Sequence, residues 1–431
     1  MSKPLWHAEG RGVDERAMQF MAGQDARLDA ELLPFDIRAT RAHVRGLGRI
    51  SALSAGDVEK LVVALDQIAG EVESGKLAMS DRFEDGHSAI EFWLTERLGE
   101  VGKRVHLGRS RNDQVLIATR LYCLDRLGRL RTGAVKSGRA ALRLARRHES
   151  TLMPGYTHLQ RAMPSSVGLW MGSFAESFAD DAELVRLTEQ WLDASPLGAA
   201  AGYGVNLPLD RDRVAEELGL ARLHVNPMHA QATRGKHEHQ ALAAAWQVMQ
   251  TVRRLAWDLS LFTTAEFGFV RLPGGATTGS SIMPNKRNPD LAELLRAAPA
   301  VVAGCIAELQ QLLSLPSGYH RDLQGAKPPL IRGLSSAIEA VGLIPWLIDG
   351  LEIDAERMRA ACDPTMLATD RAVELAAGGM PFRDAYKKVA ESLGEFGGRD
   401  PEESLRARVS LGATADLRLD EIEARLDAFA D

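Results

Sequence analysis

Helical periodicity runs to unusual length in five stretches of this 431-residue chain, roughly 57 to 74, 112 to 148, 165 to 193, 237 to 268 and 290 to 314. Helices of soluble domains average about 11–12 residues, so several approaching 30 predict a structure organised around long rods. In the last stretch Leu291, Leu294, Leu295, Ala298, Val302, Ile306, Leu309 and Leu313 recur at three- and four-residue steps, which reads as one continuous apolar stripe. In 165 to 193 and 237 to 268 the apolar residues, among them Trp170, Phe174, Phe178, Trp246, Leu255, Leu259 and Phe262, spread round more of the helix. Such helices need neighbours on several sides, and a bundle continued across subunits would supply them.

Strand signals are scarce, with no long alternating Val/Ile/Thr runs bounded by hairpin turns, so the expected fold is mainly α. Gly and Pro punctuation falls at 99 to 109, 152 to 164, 196 to 208, 271 to 289 and 315 to 329, between the rods, and these loops are where chemistry is expected. Past about residue 350 the breaks come closer together, at Asp363-Pro364, Gly378-Gly379 and Gly397-Gly398. The expected organisation is an N-terminal helical domain over 1–105, a central long-helix bundle domain over 106–350 and a small C-terminal helical domain over 351–431.

Composition narrows the classes of function. A net charge of −6 offers no basic footprint for nucleic acid. Cys123, Cys305 and Cys362 are odd in number, widely separated and in no metal-ligand spacing, as in a reducing compartment. The first residues, MSKPLWHAEGRGVDE, lack the apolar core of a secretory signal, and no run approaches about 18 uninterrupted apolar residues, so a cytoplasmic protein without a membrane partner is expected.

The segment 274 to 289, GGATTGSSIMPNKRNP, is the most informative. Its glycines permit mobile or strained backbone, and a serine hydroxyl or backbone N–H groups there can meet a substrate carboxylate. It fails as a phosphate cradle: Gly274 and Gly279 have the Walker gap, but Ser280 stands where lysine should follow. Composition alone also fits an ordinary surface loop.

GSSIMPNKRNP resembles the signature GSSxMPxKxNP of the fumarase/aspartase superfamily. HLGRSRNDQ at 106 to 114 and MPGYTHLQRAMP at 153 to 164 resemble the argininosuccinate lyase family within it. EDGHSAIE at 84 to 91, LPLDR at 207 to 211, SGYHRDLQ at 317 to 324 and PFRDAY at 381 to 386 match as well, so the resemblance runs from about residue 5 to the C-terminus.

The resemblance implies a reversible β-elimination of argininosuccinate to arginine and fumarate, with no cofactor and no metal, in a homotetramer whose active sites are shared between subunits. By the same resemblance Ser281 is the base, its weak acidity overcome by Lys286 and the loop amides, since a lowered pKa needs nearby positive charge or donors. Lys286 and Asn288 then stabilise the aci-carboxylate. His158 stands on the acid side with Glu293 as its carboxylate partner, an arrangement that raises an imidazole pKa. Ser110, Arg111, Asn112 and Thr157 match substrate-holding positions, although residues 110 to 112 also suit capping of the helix that follows. His87 matches another substrate-side histidine. Tyr319, Gln324 and Lys327 match the loop that contacts the arginine moiety, and Asp29 an acidic position for the cationic end. Arg234 matches a carboxylate-facing position.

This chain departs from the family at NPMHAQATRGKHE, 226 to 238, where Asn226, Ala230 and Arg234 alone are retained, and at Asp25, where the family carries serine four residues before Asp29. His237 and His239 fall about 200° apart on a helix, off a common face, which argues against a metal site. The rival readings are a lyase of another succinyl substrate and an inactive structural relative of the crystallin kind. Retention of Ser281, His158 and Lys286 weighs against the second.

Overall fold

The structure, a computed structural model, describes residues 15–80, 83–396 and 400–430. Residues 1–14 and the Gly397-Gly398 break lie outside the described residues. The fold is mainly α. Among the described residues the strands are confined to three two-stranded antiparallel pairings.

Four of the periodic stretches are single helices: Ala55–Glu73, Arg111–Arg147, Val167–Leu192 and Lys236–Phe262. At 1.5 Å per residue, the 37 residues of Arg111–Arg147 make a rod of about 55 Å. The fifth stretch is not one rod. It divides into Asp290–Ala297 and Pro299–Leu312, because Pro299 has no N–H to return to the preceding turn. The stripe is correspondingly narrower than the sequence implied. Leu295, Val302 and Leu309 are buried at seven-residue steps, whereas Leu294 is 68% exposed.

Two long helices escaped the sequence reading. Asp25–Arg49 hides because its inward face mixes Leu28, Leu32, Leu33 and Ile37 with Asp29, Asp36, Thr40 and His43, all of them buried, so no clean apolar period forms. Lys327–Asp349 opens with Pro328 and Pro329, which a first turn tolerates because its N–H groups have no intrahelical partners.

The chain forms two compact units. Of the described residues, one contains those up to Gly128 with Leu187–Ala245 and Val301–Ser335; the other contains Arg129–Arg186, Trp246–Ala300 and those from Ser336 onward. Every boundary falls inside a helix. In the first unit Leu33, Leu47, Leu61, Leu65, Ile68, Ile90 and Leu94 form one apolar core. Beyond residue 350 the described helices are short, none exceeding 10 residues.

The segment MPGYTHLQRAMP, read from sequence as loop, is a β-hairpin. Leu152–Thr157 pairs with Gln160–Ser166, and Thr157 faces Gln160 across a two-residue turn. His158 at φ +54° and Leu159 at φ +59° both occupy the left-handed region. Hairpin turns of this kind favour Asn-Gly; two non-glycine residues there store roughly 1–2 kcal/mol each.

Candidate active site

The sequence-derived candidates divide between the two units. In the first unit lie Asp29, His87, Ser110, Arg111, Asn112, Arg234, Tyr319, Gln324 and Lys327; in the second lie Thr157, His158, Ser281, Lys286, Asn288 and Glu293.

In the first unit the helix start at Arg111 is built by its own sequence. Ser110 Oγ accepts the Asn112 N–H at 3.2 Å, and Asp113 reaches back to the Ser110 N–H at 2.9 Å, a reciprocal cap. The other Asp113 oxygen accepts the Gly198 and Ala200 N–H groups, both at 3.0 Å, which ties the loop 196 to 208 to the helix start. The capping alternative for residues 110 to 112 is therefore realised, and it leaves the Arg111 side chain outside the cap. That guanidinium meets Glu84 at 3.0 and 3.3 Å and lies 3.0 Å from Asp85 Oδ2.

His87 sits in a buried acidic cradle, with Nδ1 3.5 Å from Asp36 Oδ2 and Nε2 3.4 Å from Asp85 Oδ2. Burial pulls its pKa down, but Asp85, Asp36 and Asp29 outweigh burial and raise it, so the cradle favours imidazolium. Asp85 answers in the opposite sense. Burial pushes it up, yet His87, Arg111 and two hydrogen bonds from Ser88 hold it below the usual carboxylate value.

Lys327 is buried and donates to Asp29 Oδ1 at 2.6 Å, with Asp25 Oδ1 3.4 Å away. The second Asp29 oxygen accepts the Gly86 N–H at 2.9 Å. Two carboxylates thus share one lysine, and burial raises the Asp25 pKa, with Lys327 opposing and Asp29 reinforcing. Asp25 also lines a cleft of about 370 Å³ with Met21, Leu28, Arg321, Gln324 and Pro328. Gln324 is oriented at both ends: its Nε2 donates to Met21 O at 2.9 Å and its Oε1 accepts from Arg321 Nε at 3.0 Å. The Arg234 guanidinium lies 5.1 Å over the Tyr319 ring.

In the second unit the signature segment is a small hairpin, Thr278–Gly279 paired with Arg287–Asn288, which presents 280 to 286 as its tip. Ser280 Oγ accepts the Ile282 and Met283 N–H groups at 3.3 and 3.0 Å, and the Lys286 N–H donates to Met283 O at 3.1 Å, so the tip is a built turn. Thr278 Oγ1 donates to Asp290, which pins the hairpin to the following helix. Ser281 and Lys286 are exposed on the tip; Asn288, in register with Thr278, is half-buried. Thr157 and His158 are exposed at the other hairpin's turn, and Glu293 is exposed with Arg296 3.7 Å away. Among the described residues, His158 and Glu293 share no hydrogen bond or ion pair.

Sequence reasoning missed Glu84, Asp85, Asp36 and Arg321. Glu84 and Asp85 stand in the quoted EDGHSAIE and Arg321 in SGYHRDLQ, so motif membership was the available signal. Asp36 carried none.

The divergent segment brings histidines together. Asn226 caps the Pro227–Ala232 helix through the His229 N–H at 3.0 Å. The rings of His224 and His229 lie 5.1 Å apart, those of His224 and His237 5.4 Å, and His237 packs on Trp191 at 4.3 Å. His239 points elsewhere, to Gln310 at 3.1 Å. Burial and the nearby Arg120 push His224 to about 3 and His237 to about 2. Both are depressed below the unfolded value of about 6.5, so their neutral forms stabilise the fold above that pH and the contribution is lost as pH falls. Denaturation midpoints are expected to drop between pH 7 and pH 5.5 by the equivalent of on the order of 2 kcal/mol. His237→Phe should flatten that slope, and a slope unchanged by the substitution would count against this assignment.

A lyase family model matches residues 13–304, more than half of the chain. The argininosuccinate lyase of Sorangium cellulosum is 54% identical over 430 residues, covering all of both chains, and that of Stenotrophomonas maltophilia 50% identical over 431. Among solved structures, an EDDS lyase in complex with formate superposes with a TM-score of 0.83 at 24% identity, over 97% of this chain and 91% of that one. The 3-carboxy-cis,cis-muconate lactonizing enzyme from Pseudomonas putida gives 0.70 at 19%, over 96% and 98%. These two structures share the fold. With full-length relatives at this identity, the chain belongs to the argininosuccinate lyase family of the fumarase/aspartase superfamily.

Proposed function

We propose that the protein catalyses the reversible β-elimination of argininosuccinate to arginine and fumarate, as its relatives' name implies. The observation that carries this reading is the full-length match to argininosuccinate lyases, to which the ionic site around Arg111, His87 and Lys327 adds a chemical fit. A substrate with three carboxylates and two cationic groups needs such alternating charge.

In this reading Ser281, as alkoxide, takes a proton from the succinyl carbon beside a carboxylate. The electron pair enters the carboxylate as an aci-carboxylate, and Lys286 and Asn288 stabilise the added charge. The pair then forms the carbon–carbon double bond as the carbon–nitrogen bond breaks, and the departing nitrogen takes a proton from the side of His158 and Glu293. Charge stabilisation of this kind requires a dry, preorganised site. Ser281, Lys286, His158 and Glu293 are all exposed in the single chain. That exposure supports a homotetramer whose subunits complete each other's sites, as do the apolar residues left in water on long helices: Trp257 at 49%, Leu343 at 42% and Trp346 at 47% exposed. A cytoplasmic location and the division at about residues 105 and 350 belong to the same proposal. Asp25 in place of serine favours, as a second reading, a lyase acting on a related succinyl conjugate.

Fumarate formation followed by ultraviolet absorbance, with sedimentation of the same preparation, tests both parts. Turnover of argininosuccinate by a tetramer is expected. A folded tetramer inactive on argininosuccinate but active on another succinyl conjugate would favour the second reading, and an active monomer would sink the shared-site reading.

A further inference from the structure

Within the first unit, two arginines converge on one carboxylate. Arg111 Nη1 and Nη2 donate to the two oxygens of Glu84 at 3.0 and 3.3 Å, and Arg321 Nη2 donates to Glu84 Oε1 at 3.4 Å. From Arg321 the network continues through Nε to Gln324 Oε1 at 3.0 Å and through Nη2 to Met21 O at 3.0 Å. From Arg111 it continues to Asp85 Oδ2 at 3.0 Å. The guanidinium of Arg111 and, through Arg321, the amide of Gln324 therefore share Glu84 as an anchor, with Asp85 and Met21 O as further partners.

A guanidinium carries five N–H donors, and the bidentate pair with Glu84 together with the Asp85 contact engages three of those on Arg111. Donors remain for a substrate carboxylate, while their direction is fixed by the pair. Glu84 has a side-chain exposure of 17%, against 38% for Arg111 and 47% for Arg321, so it forms the inner anchor and the arginines the outer surface. We infer that Glu84 is a positioning residue for substrate binding, which holds Arg111 for the succinyl carboxylate and, through Arg321, holds Gln324 for the arginine portion. This inference rests on the elimination reading above.

Glu84→Gln tests it. The amide keeps the volume, but whichever way it turns its NH2 group opposes Arg111, and at the Oε1 position it opposes Arg321 as well. With the wild-type oligomer as reference, KM for argininosuccinate is expected to rise about tenfold with kcat within about threefold, the pattern of lost uniform binding. Inhibition constants for succinate and for arginine should both rise, and Glu84→Asp, which keeps the charge, should recover part of each. Unchanged KM and inhibition constants, or a fall in kcat alone, would overturn the assignment. If Glu84→Gln does not fold, Arg321→Gln serves, because it leaves the Arg111–Glu84 pair standing. It should weaken arginine inhibition alone, and an equal loss for succinate would mean general loosening and overturn the inference. No fumarate from the wild-type protein would instead defeat the underlying reading.

Discussion

Alanine in place of Ser281 is expected to lower kcat for argininosuccinate cleavage by about a thousandfold or more, the scale on which loss of a central catalytic group is felt. The proposed step has no substitute base on the loop tip. Ser280, its neighbour, already accepts the Ile282 and Met283 N–H groups and is needed for the turn. Because Ser281 is exposed and forms none of the hydrogen bonds that shape the turn, the substitution should leave the denaturation midpoint and KM nearly unchanged. Single-turnover absorbance at saturating substrate reads the effect. Residual activity within about tenfold of wild type would remove Ser281 from the base role and return attention to the exposed His158.

The second large effect is on stability. Lys327→Met removes the cation shared by Asp29 and Asp25 and leaves two carboxylates together in a largely buried place. Breaking a buried pair from one side costs about 3–5 kcal/mol, because the uncompensated charge remains. The loss should depend on pH. Burial and the neighbouring Asp29 already raise the Asp25 pKa, and without Lys327 the lowering influence is gone. A carboxyl whose folded pKa exceeds its unfolded value destabilises the fold increasingly as pH rises through that interval, and protonation relieves it as pH falls. Denaturation of the variant should therefore show its largest deficit near neutral pH and a smaller one near pH 5. Adding Asp29→Asn to the variant should restore part of the midpoint, and a variant as stable as wild type at neutral pH would contradict the buried-charge account.

Much of this molecule was legible in its sequence, for reasons that differ between its parts. The helices Arg111–Arg147, Val167–Leu192 and Lys236–Phe262 could be read because an apolar surface repeating over seven or more turns has few other solutions. The Asp25–Arg49 helix could not, because its inward face carries Asp29, Asp36, Thr40 and His43, and a polar site built on a helix erases the period that would reveal it. The hairpin around His158 was hidden for a related reason. Its turn uses His and Leu where glycine is the usual signal, so the local sequence contradicts the conformation that the surrounding pairing imposes.

The candidate residues divide in the same way. Motif spacing singled out Ser281, Lys286, His158, Arg111, Gln324 and Lys327, since a long specific pattern survives in one dimension. Glu84, Asp36 and Arg321 became visible through what they touch: Arg111 and Arg321 are 210 residues apart along the chain and meet on one carboxylate. Sequence by itself determined most of the long rods and singled out the candidate reactive groups, because periodicity and motif are properties of order along the chain. Tertiary structure alone decided which charges are paired, which are buried and therefore shifted in pKa, and where the strained turn lies. Those depend on distances through space between segments remote in sequence, and on the low dielectric that packing creates.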